Sequence, residues 1–306
     1  MSETDTIGFI GLGVMGGPMC CNMAAKHPGE VLAFDLSEAA LAEVETAGAR
    51  RVGSVEELAA RADIIFLSLP GGPQVEAVSA AIGAAMGRCA VVVDLSTTPV
   101  ELARKVAASL AGQGIEFADA PVARTREAAR KGALAIMVGA PAPLFARIEP
   151  LLRYVATDIT LGGEVGAGQV LKLVNNMLVF ANTVALAEMM VLGERAGVAP
   201  ETLLDAVSKG SGDSFVLRNH GRKAMLPRDF PDKAFSPEYV LKDISYVFEL
   251  AAQTGVPLPA AEAARSYYAA APDHGLSGRY FPGVIELVEK GVMKDGGGTR
   301  DEEAAA

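Results

Sequence analysis

Residues 6–16 of this 306-residue chain, TIGFIGLGVMG, combine a short β-type run with a glycine-rich turn. The turn matches the pattern G-x-G-x-x-G at Gly11, Gly13 and Gly16, and a helical stretch follows it. In such a strand–turn–helix, the first glycine allows the tight turn and the second lets the backbone approach a pyrophosphate. The third lets helix and strand pack closely, and the helix N-terminus faces the phosphate charge. The pattern therefore predicts a dinucleotide-binding Rossmann unit.

Asp35 indicates which dinucleotide is bound. It stands 24 residues after Gly11, at the end of the next β-type run. A carboxylate in this place accepts hydrogen bonds from ribose hydroxyls and repels a 2′-phosphate. Leu36 follows, where a protein that binds NADP would often carry an arginine. We therefore predict NAD as the cofactor.

The first half of the chain alternates β-type runs with alanine-rich helical runs, which indicates βαβ units and a doubly wound parallel sheet. After the first strand, further strands are predicted at 31–34, 64–69, 90–93 and 134–138. Beyond about Gly163 the β-type runs stop, and helices are predicted at 166–195, 200–209, 236–254, 260–271 and 282–290. The predicted fold class is α/β: a Rossmann domain over 1–163, an all-α substrate and oligomerisation domain over 164–293, and a flexible tail over 294–306.

Composition excludes several classes of protein. The chain has 27 Lys and Arg residues against 37 Asp and Glu, and a formal net charge of -10, which opposes binding to nucleic acid or to an anionic membrane. Its three cysteines and three scattered histidines predict neither a disulfide framework nor a metal site. The apolar segment 177–192 is short and contains Asn182 and Glu188, so we interpret it as a buried core helix. We expect a soluble, cytoplasmic protein.

Lys172, Asn175 and Asn176 are the first candidates for catalysis. They stand at i, i+3 and i+4 and therefore on one face of the long predicted helix. A lysine with two amides in an apolar helix would be costly if it were simply buried. Partial desolvation would lower the pKa of the lysine towards the working pH, which suits proton exchange with a hydroxyl or a carbonyl. A solvated lysine beside structural asparagines is the alternative.

The order of these pieces resembles the β-hydroxyacid dehydrogenases, the group of 3-hydroxyisobutyrate dehydrogenase, tartronate semialdehyde reductase and, more distantly, 6-phosphogluconate dehydrogenase. Beyond the opening turn, the resemblance is carried by motifs in the expected order. They are Leu69-Pro70, Asp94-Leu95-Ser96-Thr97, Asp119-Ala120-Pro121-Val122, Lys172-Leu173-Val174-Asn175-Asn176 and Leu241-Lys242-Asp243. The resemblance extends to about Lys290.

The resemblance implies roles for these residues. Lys172 would be the general acid and base, with Asn176 holding the reacting oxygen or the lysine and Asn175 in support. Ser96 would contact the substrate. The cofactor would be lined by the turn residues Gly11, Leu12, Gly13, Val14, Met15 and Gly16, and by Asp35, Leu69, Pro70, Thr97 and Lys242. A surface position for Lys242 remains an alternative.

One segment departs from the family pattern. Members commonly follow Asp-x-Pro-Val with Ser-Gly-Gly, whereas this chain has Ala123, Arg124 and Thr125. Arg124 offers a planar fork that binds a carboxylate or a sulfonate bidentately, and Thr125 adds a hydroxyl. The arrangement is similar to that of sulfolactaldehyde reductases in the same family. A local salt bridge, for example to Glu127, is the structural alternative for Arg124.

The sequence thus predicts an NAD-dependent oxidoreductase that interconverts a small anionic 3-hydroxy acid and its semialdehyde. The alternatives are a 3-sulfolactaldehyde reductase with Arg124 on the sulfonate, and a non-catalytic nucleotide-binding module. An imine reductase is disfavoured, because those relatives usually carry Asp or Tyr in place of Lys172. The long apolar helix predicts a homodimer or homotetramer.

Overall fold

The computed structural model describes residues 5–232 and 234–292. The chain forms two compact units that meet at the Lys172–Leu173 bond. The strands of the first unit are β1 Ile7–Ile10, β2 Val31–Phe34, β3 Arg50–Arg51, β4 Ile64–Leu67, β5 Val91–Asp94, β6 Glu116–Asp119, β7 Val122–Ala123, β8 Leu134–Gly139 and β9 Ala156–Gly163. Its helices are α1 Gly16–Lys26, α2 Glu38–Thr46, α3 Val55–Arg61, α4 Gly72–Ala84, α5 Val100–Ala111, α6 Arg126–Arg130 and α7 Ala142–Leu152.

The strands form one sheet in the order β3-β2-β1-β4-β5-β6-β8-β7, and β9 pairs with β8. Strands β1 to β6 are parallel, whereas β8 runs antiparallel to β6 and β7 and parallel to β9. The strand order reverses between β1 and β4, and in open α/β sheets ligands bind outside the carboxyl ends of the strands at such a point.

Both faces of this sheet are buried, as a parallel sheet requires. Ile7 and Phe9 belong to one hydrophobic core, whereas Ile10 belongs to a second core together with Leu32 and Ile65. Consecutive side chains of a strand point to opposite faces, so β1 contributes to both cores. Helices therefore cover the sheet on both sides, and the predicted α/β fold class is confirmed.

The second unit is helical. It contains most of α8 Ala167–Arg195, followed by α9 Pro200–Val207, a π-helix at Leu217–Met225, α10 Pro237–Thr254, α11 Pro259–Ala270 and α12 Ile285–Lys290, with short 3-10 helices at Pro272–His274 and Phe281–Val284. Its aromatic side chains form a cluster around Phe180 and Phe281, whose ring centroids lie 5.8 Å apart. Helix α10 begins with Pro237 at its first position and ends at Gly255, which has φ +70°, as the sequence predicts.

Helix α8 is the one helix within residues 5–232 and 234–292 that is long and apolar enough to cross a membrane by length and composition. A third of its most apolar 18-residue window is buried, and the polar Lys172, Asn175 and Asn176 lie in its first third. The interpretation as a core helix therefore stays a prediction.

The structure adds elements that the sequence pattern does not predict. Strands β3, β6, β7 and β9 and helices α3, α6 and α7 are all absent from the prediction. The units meet inside α8, so the domain boundaries at 163 and 293 stay predictions. The predicted tail, 294–306, lies outside the described residues.

Candidate dehydrogenase site

The glycine-rich turn leaves β1 and enters α1 with the geometry that its pattern predicts. Gly11 has φ +93°, and a Cβ on it would lie 2.3 Å from the carbonyl oxygen of Ser68. A Cβ on Gly16 would lie 2.0 Å from the carbonyl oxygen of Gly11. A Cβ on Gly13 would have no heavy atom within 4 Å, so this part of the turn is open. The turn thus pairs tight helix–strand packing with an accessible backbone above a helix N-terminus.

Asp35 follows β2 directly and is fixed by two backbone groups. Its Oδ2 accepts a hydrogen bond from Leu12 N at 2.6 Å, and its Oδ1 accepts one from Ser37 N at 2.8 Å. The Asp35 side chain lines a cleft of about 260 Å³. Leu36 is 93% exposed beside it. Each carboxylate oxygen has further acceptor capacity, so Asp35 can still accept from a ribose hydroxyl.

The other predicted cofactor residues of the first unit lie at the same edge of the sheet. Val14 is exposed and Met15 half-buried at the start of α1, while Leu69 and Pro70 follow β4 and Thr97 follows β5. Leu69 N donates to Ser96 Oγ at 2.8 Å. The carboxyl ends of β1, β4 and β5 are neighbours in the sheet, which brings these loops side by side.

Ser96, predicted to contact the substrate, is only 4% exposed. Its backbone N–H donates to Asp94 Oδ1 at 2.9 Å, while its hydroxyl receives the Leu69 N–H. Asp94 is fully buried, and burial raises the pKa of its carboxyl to about 7 against the lowering effect of the Ser96 hydrogen bonds. Ser96 therefore holds two loops of the cofactor edge together, and its contact with substrate stays a prediction.

Asp119 and Gln169 are site residues that the sequence analysis did not single out for a role. The Asp119 carboxylate accepts from Gly166 N at 2.7 Å and from Gln169 N at 2.8 Å, and it caps the N-terminus of α8. Burial raises the pKa of Asp119 to about 6, opposed by these backbone N–H groups. Gln169 is fully buried; its amide donates to Ser96 O at 2.9 Å and accepts from Thr98 N at 3.1 Å.

These contacts attach the first turn of α8 to the carboxyl ends of β5 and β6. A Cβ on Gly168 would lie 2.5 Å from Met137 O and 2.8 Å from Asp119 O, so the glycine lets the helix backbone approach the sheet. The sequence indicated Asp119 only through the motif Asp119-Ala120-Pro121-Val122, and it contained no indication for Gln169.

Lys172, Asn175 and Asn176 lie on α8 at helical spacing, as predicted. Lys172 and Asn175 are half-buried, and Asn176 is 7% exposed. Asn175 Nδ2 donates to Asn176 Oδ1 at 3.1 Å, and Asn176 Nδ2 donates to Asp243 Oδ2 at 2.7 Å. The two amides are thereby oriented within the second unit.

Asp243 belongs to the motif Leu241-Lys242-Asp243, but the sequence analysis gave it no role of its own. It is 2% exposed, and its Oδ1 lies 3.1 Å from Lys242 Nζ. Lys242 is half-buried, and its ammonium lies 5.5 Å from the centroid of the Tyr246 ring. One buried carboxylate thus links Asn176 and Lys242, two residues predicted for the site.

Arg124 lies in the loop after β7 with its backbone at φ +88°, a left-handed conformation. Its Nη1 donates to Ala133 O and to Thr157 Oγ1, both at 2.8 Å, and its Nη2 donates to Asp158 Oδ2 at 2.6 Å. The partner acid is therefore Asp158 on β9, where the sequence had offered Glu127 as an example. The predicted role of Arg124 in binding an anion stays a prediction.

The two neighbours of Arg124 have structural contacts as well. Ala123 is half-buried on β7 and pairs with Ala135 on β8. Thr125 Oγ1 accepts from Ala128 N at 3.3 Å and so caps α6. The predicted contacts of Ala123 and Thr125 with substrate stay predictions.

Comparison with known proteins identifies the family. Residues 6–163 match the NAD binding domain of 6-phosphogluconate dehydrogenase, and residues 166–288 match a family described as NAD-binding of NADP-dependent 3-hydroxyisobutyrate dehydrogenase. The chain is 37% identical over 302 residues to 2-(hydroxymethyl)glutarate dehydrogenase of Eubacterium barkeri, covering 97% of this chain and 100% of that protein. The chain belongs to the β-hydroxyacid dehydrogenase family.

Two further relatives agree. This β-hydroxyacid dehydrogenase is 36% identical over 214 residues to 3-hydroxyisobutyrate dehydrogenase of Pseudomonas aeruginosa, covering 69% of this chain and 72% of that one. A solved structure of Mycobacterium tuberculosis 3-hydroxyisobutyrate dehydrogenase with L-serine has a TM-score of 0.84 at 29% identity, covering 93% and 99% of the two chains.

Membership of the family makes this protein an NAD(P)-dependent dehydrogenase or reductase that acts on the hydroxyl group of hydroxy acids. The resemblance that the sequence motifs predict is thereby confirmed. Within residues 5–232 and 234–292, no three His, Cys, Asp or Glu side chains group as a metal site would need.

Proposed function

We propose that this β-hydroxyacid dehydrogenase uses NAD to interconvert a small acid of the form HOCH2–CHR–COO⁻ and its semialdehyde, with Lys172 as the general acid and base. The names of the two curated relatives share this unit, since 3-hydroxyisobutyrate carries a methyl group as R and 2-(hydroxymethyl)glutarate carries a carboxyethyl group. The observation that carries the proposal is the face of α8 that holds Lys172, Asn175 and Asn176.

The residues of the first unit fit a dinucleotide. The turn around the open Gly13 backbone leads into α1, and Asp35 is held in place by Leu12 N and Ser37 N. The exposed Leu36 in place of an arginine, together with the Asp35 carboxylate, supports NAD over NADP. When bound, the nicotinamide accepts or donates the two electrons of the reaction as a hydride.

Lys172 would exchange the proton of the reacting oxygen. In the oxidative direction a neutral Lys172 Nζ takes the hydroxyl proton as the C–O bond becomes a carbonyl; in the reductive direction the ammonium returns it. Asn176, oriented by Asp243 at 2.7 Å, would donate to the same oxygen or hold the lysine. Asn175 would support Asn176 through their 3.1 Å amide contact.

The contacts of Arg124 favour a carboxylate substrate over the sulfonate alternative. Its guanidinium already donates to Ala133, Thr157 and Asp158, which all belong to the first unit, so these contacts give Arg124 a structural role. The pKa of Asp158 is lowered by hydrogen bonds from Thr157 and Arg124, consistent with a charged partner. 3-Sulfolactaldehyde nevertheless remains the alternative substrate that the experiment includes.

The proposal is tested by the rate of NADH oxidation with a panel of aldehydes. Methylmalonate semialdehyde, 2-formylglutarate and tartronate semialdehyde are semialdehydes of the favoured class, with a methyl, carboxyethyl or hydroxyl group as R, while succinate semialdehyde and 3-sulfolactaldehyde are the comparisons. We expect a favoured-class semialdehyde to give the highest kcat/KM, with little change in Arg124→Ala. A preference for 3-sulfolactaldehyde that is lost in Arg124→Ala would replace the proposal with the sulfonate alternative.

A second measurement tests Lys172. We expect Lys172→Met to lower kcat by about a hundredfold or more, since a positioned acid–base group typically contributes that much, while NADH still binds. Lys105→Met is the matched control, because Lys105 pairs with Glu76 on the surface between α4 and α5. An unchanged rate in Lys172→Met would refute its role. NADH binding without turnover of any aldehyde would identify a non-catalytic nucleotide-binding module.

We also propose a homodimer or homotetramer in the cytoplasm, without nucleic-acid or membrane partners. Helix α8 supports assembly with a second copy, because Val174, Leu178, Met189 and Leu192 are each more than half exposed along one side of it. Light scattering of wild type and Leu178→Glu tests this proposal. A monomeric wild type would contradict it.

A further inference from the structure

The cleft beside Asp35 has an acidic lining that contains one arginine. Its charged residues are Asp35 from the end of β2, Glu38 from α2, Arg51 from β3 and Glu57 from α3. Three carboxylates therefore face one guanidinium in the space where the adenosine ribose would lie in the proposed function.

All three nitrogens of the Arg51 guanidinium donate hydrogen bonds to two glutamates, Glu38 and Glu45. Nε donates to Glu45 Oε1 at 2.8 Å and Nη2 donates to Glu45 Oε2 at 2.6 Å, a bidentate pair. Nη1 donates to Glu38 Oε2 at 2.8 Å. We call Glu38, Glu45 and Arg51 the Arg51 cluster; its formal charge is negative by one unit.

This arrangement bears on the difference between the two nicotinamide dinucleotides. NADP carries a 2′-phosphate, which an arginine at the ribose binds well because its fork matches the phosphate oxygens. Arg51 is the one cationic side chain that lines the cleft in the described part of the chain. Its fork is directed at Glu45, and Glu38 adds a further negative charge that repels phosphate.

We propose that Glu38 and Glu45 determine cofactor selectivity by keeping Arg51 from a 2′-phosphate, so that the cleft selects NAD over NADP. The inference rests on the proposed use of NAD. It assigns the discrimination to the Arg51 cluster as well as to Asp35. Selectivity then depends on two residues of α2 that follow the ribose-binding strand, rather than on that strand alone.

The experiment is a titration of NADH and NADPH into the full-length protein at low ionic strength, followed by nicotinamide fluorescence. The variants are Glu38→Gln/Glu45→Gln, the same pair with Arg51→Ala, and Glu30→Gln/Glu101→Gln. The last pair is the control: it changes the net charge equally but removes the partners of Arg50 and Arg104 instead, while Arg61 keeps its pair with Glu57.

We expect the Glu38→Gln/Glu45→Gln variant to lower the ratio of Kd for NADPH to Kd for NADH by about tenfold. A change of this size corresponds to one charge-assisted contact between the released Arg51 and the 2′-phosphate. Addition of Arg51→Ala should abolish this gain in NADPH affinity. If the cluster had only a structural role, the gain would not depend on Arg51. An equal gain in the control pair, or a gain that survives Arg51→Ala, would overturn the inference in favour of overall charge.

The two proposals fail in distinguishable ways. Tight NADH binding with an unchanged ratio in the Glu38→Gln/Glu45→Gln variant overturns this inference and leaves the proposed function in place. A wild type that binds NADPH more tightly than NADH overturns both the proposed use of NAD and the inference built on it.

Discussion

Two strand-to-helix junctions of the first unit each contain a residue with positive φ. The residue is a glycine in one junction and an arginine in the other. In the glycine turn between β1 and α1, Gly11 has φ +93°. In the loop between β7 and α6, Arg124 has φ +88°, where the family pattern has a glycine. Left-handed backbone favours glycine, and another residue there costs about 1 to 3 kcal/mol.

The difference shows which interactions define each junction. At the glycine turn the surrounding backbone leaves no space for a side chain, since a Cβ on Gly16 would lie 2.0 Å from Gly11 O. At the second junction the side chain itself supplies contacts, to Thr157 and Asp158 on β9. The first junction is therefore defined by close backbone packing, which includes Ser68 O against Gly11, and the second by side-chain contacts of Arg124 with Ala133, Thr157 and Asp158.

The largest effect is expected where the glycine turn is filled. Gly16→Ala places a methyl group against the backbone of Gly11 in the turn and against Ser68, so we expect a loss of more than about 4 kcal/mol in the free energy of unfolding, beyond the usual cost of a substitution. NADH binding should be lost with it. Urea denaturation and NADH fluorescence measure the two effects.

Gly13→Ala is the matched control for this substitution. Its Cβ meets no heavy atom within 4 Å, so the free energy of unfolding should change by less than about 1 kcal/mol. The affinity for NADH should still fall by tenfold or more, because the methyl group stands where the pyrophosphate must approach. Equal unfolding free energies for the two variants would refute the claim that packing defines this junction.

A smaller effect is expected from the buried carboxyl of Asp94, at the same edge of the sheet. Burial raises its pKa from 3.8 to about 7, so the native state holds the proton more tightly than the unfolded state does. The stability due to this proton is present below the unfolded pKa and is lost as pH rises through about 7. One pKa unit corresponds to about 1.4 kcal/mol, so the loss between pH 5 and pH 8 is about 2 to 3 kcal/mol.

Asp94→Asn should remove this part of the pH dependence. The amide oxygen can still accept from Ser96 N, now without a charge to bury. We expect the variant to gain on wild type at pH 8 relative to pH 5, measured by urea denaturation at both values. Asp119→Asn is the contrasting variant: both Asp119 oxygens accept from backbone N–H groups, so it should lose stability at both pH values. Parallel pH profiles for wild type and Asp94→Asn would contradict the assignment.

The sequence could predict features that depend on residues close together in the chain, and could not predict contacts between distant ones. The glycine turn, Asp35 and the face of Lys172 and Asn176 depend on spacing within one element or between adjacent ones, and the structure places them as expected. Strands β3 and β9 were missed because Arg50 and Arg51 form a two-residue charged edge strand, and because residues 157–163 of β9 are largely exposed and mix Thr and Asp with two apolar residues and two glycines. Neither has the buried apolar run that the prediction required.

Contacts over long distances in the chain could not be predicted. Gln169 connects the first turn of α8 to Ser96 and Thr98, 73 and 71 residues earlier. Asp158 holds Arg124 from β9, a strand that the sequence analysis did not contain. The pattern of a single sequence shows which residues share a helix face, but the partner of a buried amide depends on which loops the sheet order places together.

The smallest effect should come from the second junction, and it is the sharpest test of the comparison. Arg124→Ala removes the guanidinium contacts and keeps a Cβ in left-handed backbone, whereas Arg124→Gly removes the contacts and relieves the backbone. Because the Arg124 and Asp158 side chains are 41% and 63% exposed, their pair is worth at most about 1 kcal/mol. We expect the free energy of unfolding of Arg124→Gly to lie within about 0.5 kcal/mol of wild type. That of Arg124→Ala should be about 1 kcal/mol lower than that of Arg124→Gly.

Asp158→Asn separates the two contributions, since it weakens the ion pair and leaves the backbone of residue 124 unchanged. Its expected loss is below about 1 kcal/mol and should shrink at high salt, whereas the difference between the glycine and alanine variants should not depend on salt. If Arg124→Ala were as stable as Arg124→Gly, the left-handed conformation would carry no cost at this position. The two junctions would then differ only in their side-chain contacts, and glycine in the family pattern would need an explanation from substrate binding rather than from backbone strain.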